Sequence, residues 1–92
     1  PQDAWLMYFC ASCRCALGDM KGGKELFERA IRTRPAEVAF HHDLAMAHVK
    51  EGDFDRAHAC FDRALAIRPD DQTVICNKAE TLITQGQADQ AI

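Results

Sequence analysis

Three cysteines near the start of the chain have the spacing of a metal motif. Cys10, Cys13 and Cys15 form the pattern Cys-x-x-Cys-x-Cys. A tetrahedral zinc site needs about four ligands that converge from knuckles or separate elements. On a helix Cys10 and Cys13 are neighbours, whereas Cys15 points to another side. We therefore predict no metal or cofactor here. We expect Cys10 and Cys13 to pack in the core, because free cysteine behaves as a small buried hydrophobe.

The histidines are the other candidates for a base or a metal ligand. His41 and His48 are seven residues apart, so they share a helix face but lie two turns from one another. Metal-binding pairs on helices are usually four apart, so packing or surface positions fit these two better. His58 and Cys60 are two apart and face different directions, which excludes a nucleophile–base dyad. The sequence predicts no catalytic residue, and we expect the chain not to be an enzyme.

The amino-acid composition limits the classes of partner that the chain can bind. The chain has 92 residues, of which 48% are hydrophobic, and its 14 acidic residues outnumber its 11 Lys and Arg. The basic residues are scattered, whereas a nucleic-acid binder concentrates them on one face. No apolar run approaches the ~20 residues that span a bilayer. These features argue against nucleic acid and membrane as partners.

The number and spacing of the cysteines indicate the cellular compartment of the protein. Five cysteines is an odd number, and their spacing matches no secreted disulfide framework. A reducing compartment is the simpler interpretation, so we predict a cytoplasmic protein.

The elements that must position these residues recur along the chain. Gly18, Gly52 and Gly86 follow one another at intervals of 34 residues, as do Pro35 and Pro69. The same interval relates further pairs of small, aromatic and charged residues, namely Ala11 with Ala45, Phe27 with Phe61, Arg29 with Arg63, and Ala30 with Ala64. Between these marks the apolar residues follow helical periodicity. We predict helices over residues 4–17, 21–33, 38–51, 55–67 and 72–85, with the glycines at the helix ends.

One copy of the repeat carries a recognisable signature. The segment from Val38 to Asp71 resembles a tetratricopeptide repeat, and its signature residues are Leu44-Ala45, Gly52-Asp53-Phe54, Ala57, Phe61, Ala64-Leu65 and Pro69. The resemblance implies an all-α fold, an α-solenoid of antiparallel helical hairpins with about two and a half repeats wound into a right-handed superhelix. We expect a single domain over residues 1–92, with repeats at about 4–37 and 38–71 and an incomplete repeat at 72–92.

The resemblance also implies a binding surface. In this family the first helices of successive hairpins line a concave groove that holds protein or peptide segments. The groove positions of this chain are then Trp5, Tyr8, Ser12, His42, Asp43, Met46, Val49, Thr73, Asn77 and Glu80. The best-known groove of the family clamps a terminal carboxylate with cations. The matching positions here, among them Tyr8, Asp43 and Asn77, offer no cation, so we expect an aromatic and apolar groove instead.

Two other interpretations remain open. Trp5, Tyr8 and Phe9 can instead cover an end of the array, in an architectural or self-associating repeat fragment of a larger protein that can carry further domains. The incomplete third hairpin is expected to leave Leu82 and Ile83 uncovered, so the exposed terminal helices are expected to support a homo-oligomer. The related pentatricopeptide repeats bind RNA in a basic groove, and this acidic chain fits them less well.

Overall fold

The computed structural model describes residues 3–90, and within this range the chain forms five helices and no strand. The helices are α1 (Ala4–Ala16), α2 (Met20–Thr33), α3 (Val38–Lys50), α4 (Phe54–Ile67) and α5 (Gln72–Gln90). Helix α1 pairs with α2, and α3 pairs with α4, while α2 contacts α3 and α4 contacts α5. The predicted all-α fold of stacked helical hairpins is confirmed.

Aspartate side chains begin four of the helices. Asp3 accepts a hydrogen bond from the Trp5 amide at 3.0 Å, and Asp19 accepts one from the Gly22 amide at 3.0 Å. Asp53 and Asp71 do the same for the first turns of α4 and α5, at 3.3 Å and 3.1 Å. A side-chain oxygen at this position satisfies an amide that has no partner inside the helix. These caps fix where each hairpin starts.

Glycine shapes the tight turn inside each complete hairpin. Gly18 has φ +94° and Gly52 has φ +77°, the left-handed conformation in which a side chain would be strained. Both positions follow the last turn of a first helix, as the repeat pattern predicted.

Gly86 behaves differently, and the predicted helix end at residue 85 was wrong. Helix α5 runs without interruption from Gln72 to Gln90. Unlike Gly18 and Gly52, Gly86 has no positive φ, and glycine is tolerated inside a helix at a cost of roughly 1 kcal/mol relative to alanine.

The core lies between the hairpins and repeats with them. Phe27 and Phe61 are 2% and 0% exposed, and the alanines three residues later in each helix are fully buried. Alanine at these positions lets the antiparallel helices approach, and the phenyl ring fills the wider gap beside them. Phe40 and Val74 occupy equivalent places in α3 and α5 and are also buried, at 0% and 1% exposed.

The prediction that Cys10 and Cys13 pack in the core was wrong. Both thiols are exposed, whereas Cys15 is half-buried and contacts the core. The equivalent residues one repeat later, Leu44 and Ala47, are buried because α2 lies beside α3. Within the described residues α1 has no helix on that side, so the same positions face outward.

Candidate functional site

Side chains from α1, α3 and α5 form a continuous hydrogen-bonded row, which we call the polar row. The Tyr8 hydroxyl donates a short hydrogen bond to the Asp43 carboxylate. Asp43 Oδ1 lies 3.0 Å from His42 Nδ1, and His42 Nε2 lies 2.6 Å from Asn77 Nδ2. Four of the predicted groove residues therefore meet, and they connect the first helices of all three repeats.

The chemistry of the polar row fixes the proton on His42. An ionised carboxylate can only accept hydrogen bonds, so His42 Nδ1 carries the proton that faces Asp43. In the neutral ring Nε2 is then an acceptor, and the Asn77 amide donates to it. Asp43 thus accepts from Tyr8 on one side and from His42 on the other.

Tyr8 joins the polar row to the aromatic packing of α1. Its ring centroid lies 5.1 Å from that of Phe40 and 5.8 Å from that of Phe27. Burial, together with the hydrogen bond to Asp43 and the nearby negative charge, raises the pKa of Tyr8 to about 12. The phenol therefore stays protonated and remains a donor over the physiological pH range.

Two depressions open beside His42 and Asp43, one next to each residue. A cavity of about 480 Å³ is lined by His42 and Thr73 together with Ala39, Ile67 and Arg68. A smaller one, about 200 Å³, is lined in the groove by Ser12, Asp43 and Met46 and deeper by Phe27 and Cys15.

Comparison with known proteins agrees with this arrangement. The family model for the tetratricopeptide repeat matches residues 16–75 and, in a second overlapping match, residues 48–92. The chain belongs to the tetratricopeptide repeat family. No curated protein matches the chain. Tetratricopeptide repeats generally mediate protein–protein interactions, so the family supports a binding role rather than a catalytic one.

The remaining predicted groove residues have mixed environments. Trp5 is half-buried, and its ring centroid lies 4.9 Å from that of Phe40, so it covers the end of the core. Val49 packs against the core from the side. Thr73 and Glu80 are exposed on α5. The polar row and Met46 form the centre of the candidate groove of this tetratricopeptide repeat protein, and Trp5 and Val49 mainly support it.

Sequence reasoning missed several residues around the groove. Lys50 lines the smaller depression, and Ile67 and Arg68 line the larger one. Ile67 ends α4 and Arg68 begins the turn after it. The predicted groove included only residues of the first helices, so it did not include these two. Their positions just before Pro69 in the repeat are the signal that could have found them.

The other reactive side chains take structural positions. His41 Nε2 lies 2.8 Å from the carbonyl oxygen of Pro35 and closes the turn between the hairpins. His58 Nε2 lies 3.0 Å from the side-chain oxygen of Gln85, which links α4 to α5. Among the described residues, no three His, Cys, Asp or Glu side chains converge as a metal site would require. Over the same range, each helix is too short or too polar to cross a membrane.

Proposed function

We propose that the concave face of α1, α3 and α5 binds a segment of another protein, in extended or helical form. The observation that supports the proposal is the polar row, which joins the three first helices through hydrogen bonds between their side chains. A surface held in one arrangement before binding loses less conformational freedom when a partner arrives. The row therefore provides a preorganised floor for the groove.

The depressions indicate the chemistry of the partner. Met46 and Phe27 line the smaller one, and aromatic and Met side chains are common anchors at protein interfaces. Asp43 and Lys50 contribute opposite charges to its walls, so the site favours an apolar side chain rather than a partner of one net charge. We infer that an apolar anchor of the bound segment enters beside Met46, with polar backbone groups above the polar row.

A substitution at Met46 tests this proposal. Met46→Asp places a charge where the anchor would be buried, and we expect it to weaken binding of a peptide selected from a random library by at least about tenfold, or ~1.4 kcal/mol. A second single variant, Tyr8→Phe in the parent chain, removes the hydroxyl that donates to Asp43 and keeps the ring that packs on Phe40. The affinity is measured by isothermal titration calorimetry.

The matched control places the same charge on the opposite face. Ala59 is exposed on α4, and Ala59→Asp is expected to leave the affinity unchanged. Equal affinities of Met46→Asp and the parent chain, with both folded by circular dichroism, would rule out the groove as the binding site.

Other properties follow as part of the same proposal. We assign the protein no catalytic activity of its own, a cytoplasmic location, and protein rather than nucleic acid or membrane as its partner. The architectural alternative, in which the repeats only join parts of a larger protein, predicts no groove binding, and the Met46 experiment distinguishes it.

A further inference from the structure

We propose that a depression between α2 and α4, away from the concave groove, binds a phosphate monoester that carries an apolar body. The depression has a volume of about 370 Å³ and is bordered by Arg32, Arg56 and Arg63, so we call it the arginine depression. It is lined by α2, α3 and α4 of the two complete hairpins, so its opening does not depend on either end of the chain. It shares no lining residue with the depressions of the groove, and the inference therefore does not depend on the proposed function.

The rim of the arginine depression carries excess positive charge. Within the described residues, Arg32 and Arg63 form no ion pair. Arg56 Nε lies 3.4 Å from an Asp53 oxygen, and the Arg56 side chain is 73% exposed. Glu28 is the only acidic residue that lines the depression in the part of the chain the structure describes, so three guanidinium groups face one carboxylate. This excess matches a phosphate monoester, with a charge of roughly −1.5 to −2, better than a carboxylate.

The floor of the arginine depression is apolar. Leu44 and Cys60 are buried there, and Ile31 is half-buried beside them. Burial raises the pKa of the Cys60 thiol, so the thiol stays neutral and does not pair with the arginines. A ligand with an apolar body would cover this floor while its phosphate binds the rim, whereas inorganic phosphate alone would leave the floor in contact with water.

A buried histidine at the base of the arginine depression lacks a hydrogen-bond partner. His48 lines the depression and is 5% exposed, and its Nδ1 has no partner within the described residues. Buried polar atoms are nearly always hydrogen-bonded, and the exceptions often mark the place of an ion or a reactive group. An imidazole N–H can donate to a phosphate oxygen, so a bound phosphate would supply the missing partner.

The lining of the arginine depression does not recur along the array. At the positions one repeat after Arg32 and His48, the chain has Ala66 and Leu82. A solvated face that merely follows the 34-residue repeat would keep polar residues at both places. The three arginines and the histidine therefore belong to one junction, the one between the first and second hairpins.

Three small probes test the chemistry of the site. Phenyl phosphate, inorganic phosphate and benzyl alcohol are each added to isotope-labelled chain at about pH 7.5, where a phosphate monoester is mostly dianionic, and backbone amide shifts are followed by NMR. We expect phenyl phosphate to give saturable shifts around Arg32, His48 and Cys60, with a dissociation constant of about a millimolar. It should bind at least about threefold more tightly than inorganic phosphate, and benzyl alcohol should not saturate. Equal affinity for the two phosphates would contradict the role of the apolar floor, and no saturable binding of phenyl phosphate overturns the proposal.

Substitutions at exposed positions test the location. Arg63→Gln removes a guanidinium from the rim, and Ala59→Asp adds a negative charge to the lining, so we expect phenyl phosphate to bind at least about fivefold and tenfold more weakly. Arg29→Gln is the matched control, because Arg29 is the exposed residue one repeat before Arg63 and does not line the depression. It should leave the affinity unchanged. Equal weakening by Arg63→Gln and Arg29→Gln, or full affinity in Ala59→Asp, would show that the phosphate does not bind in the arginine depression.

A phosphorylated peptide identifies the source of the phosphate group. A short Gly/Ser peptide with one phosphotyrosine presents the same aryl phosphate on a protein chain. Binding as tight as that of phenyl phosphate would assign the site to a phosphorylated protein partner, and binding at least about tenfold weaker would assign it to a free small molecule. The unphosphorylated peptide should not bind at this site, and equal binding of the two peptides would overturn the proposal.

Discussion

Asp43 is the residue on which the groove depends most. It accepts hydrogen bonds from both Tyr8 and His42, and His42 in turn bonds to Asn77. Hydrogen bonds to a charged group are stronger than neutral ones, by roughly a factor of two. The Asp43 carboxylate therefore binds side chains of α1 and α3 directly and is connected to α5 through His42.

His48 should make stability depend on pH. Its ring is 5% exposed, and Nδ1 has no hydrogen-bond partner within the described residues. Burial, with a smaller contribution from Lys24, lowers the pKa of His48 below 6.5. The unfolded chain then binds a proton at a higher pH than the folded chain does. Stability should be full above pH 6.5 and should fall as the pH drops from there to the folded-state pKa.

Chemical denaturation across this pH range checks the prediction. His48→Gln should reduce the loss of stability below pH 6.5 relative to the parent chain. His58→Gln serves as the control, because His58 is less buried and bonds to Gln85. If the His48→Gln chain loses stability below that pH as steeply as the parent chain, His48 is not the cause.

At the scale of elements, the first hairpin is closed by an unusually close contact. A Cβ atom at Gly23 would overlap the Cys15 sulfur and lie 2.9 Å from the carbonyl oxygen of Ala11. One repeat later the equivalent position is Ala57, which is fully buried without such a clash. The packing of α1 on α2 therefore explains why residue 23 is glycine where the second repeat has alanine.

Alanine substitutions at two helical glycines should therefore have opposite effects. Gly23→Ala gains about 1 kcal/mol of helix propensity but forces α1 and α2 apart, and we expect a net loss of about 1–2 kcal/mol. Gly86→Ala has open space within 4 Å of the new methyl group and should stabilise α5 by up to about 1 kcal/mol. Thermal unfolding of both variants measures the difference. A Gly23→Ala chain that is more stable than the parent would contradict the close contact.

The 34-residue periodicity predicted the helices and turns better than it predicted which helix faces are buried by neighbouring helices. The 34-residue spacing placed Phe27, Phe61 and the turn glycines Gly18 and Gly52 correctly, because these depend on contacts inside one hairpin. It failed at Cys10 because burial there depends on a neighbouring helix, which a repeat pattern cannot supply. The family resemblance, rather than the periodicity, assigned His42 and Asp43 to the groove, and their bonds to Tyr8 and Asn77 could be found only from three-dimensional distances.

At the scale of the whole molecule, two surfaces with different chemistry lie on different sides of α1. The concave groove is partly polar, and the polar row orders it before any partner is present. The other side of α1 is apolar, with Leu6, Phe9 and Leu17 exposed.

Mapping the bound peptide by NMR tests the central claim most directly. The library-selected peptide is added to isotope-labelled protein, and the shift of each backbone amide is followed. We predict that the largest changes occur on the groove side of α1, α3 and α5, at Ser12, His42, Met46 and Asn77, while amides of α2 and α4 on the opposite face change little. Changes concentrated on α2 and α4, or on the exposed apolar side of α1, would show that the concave groove is not the binding surface.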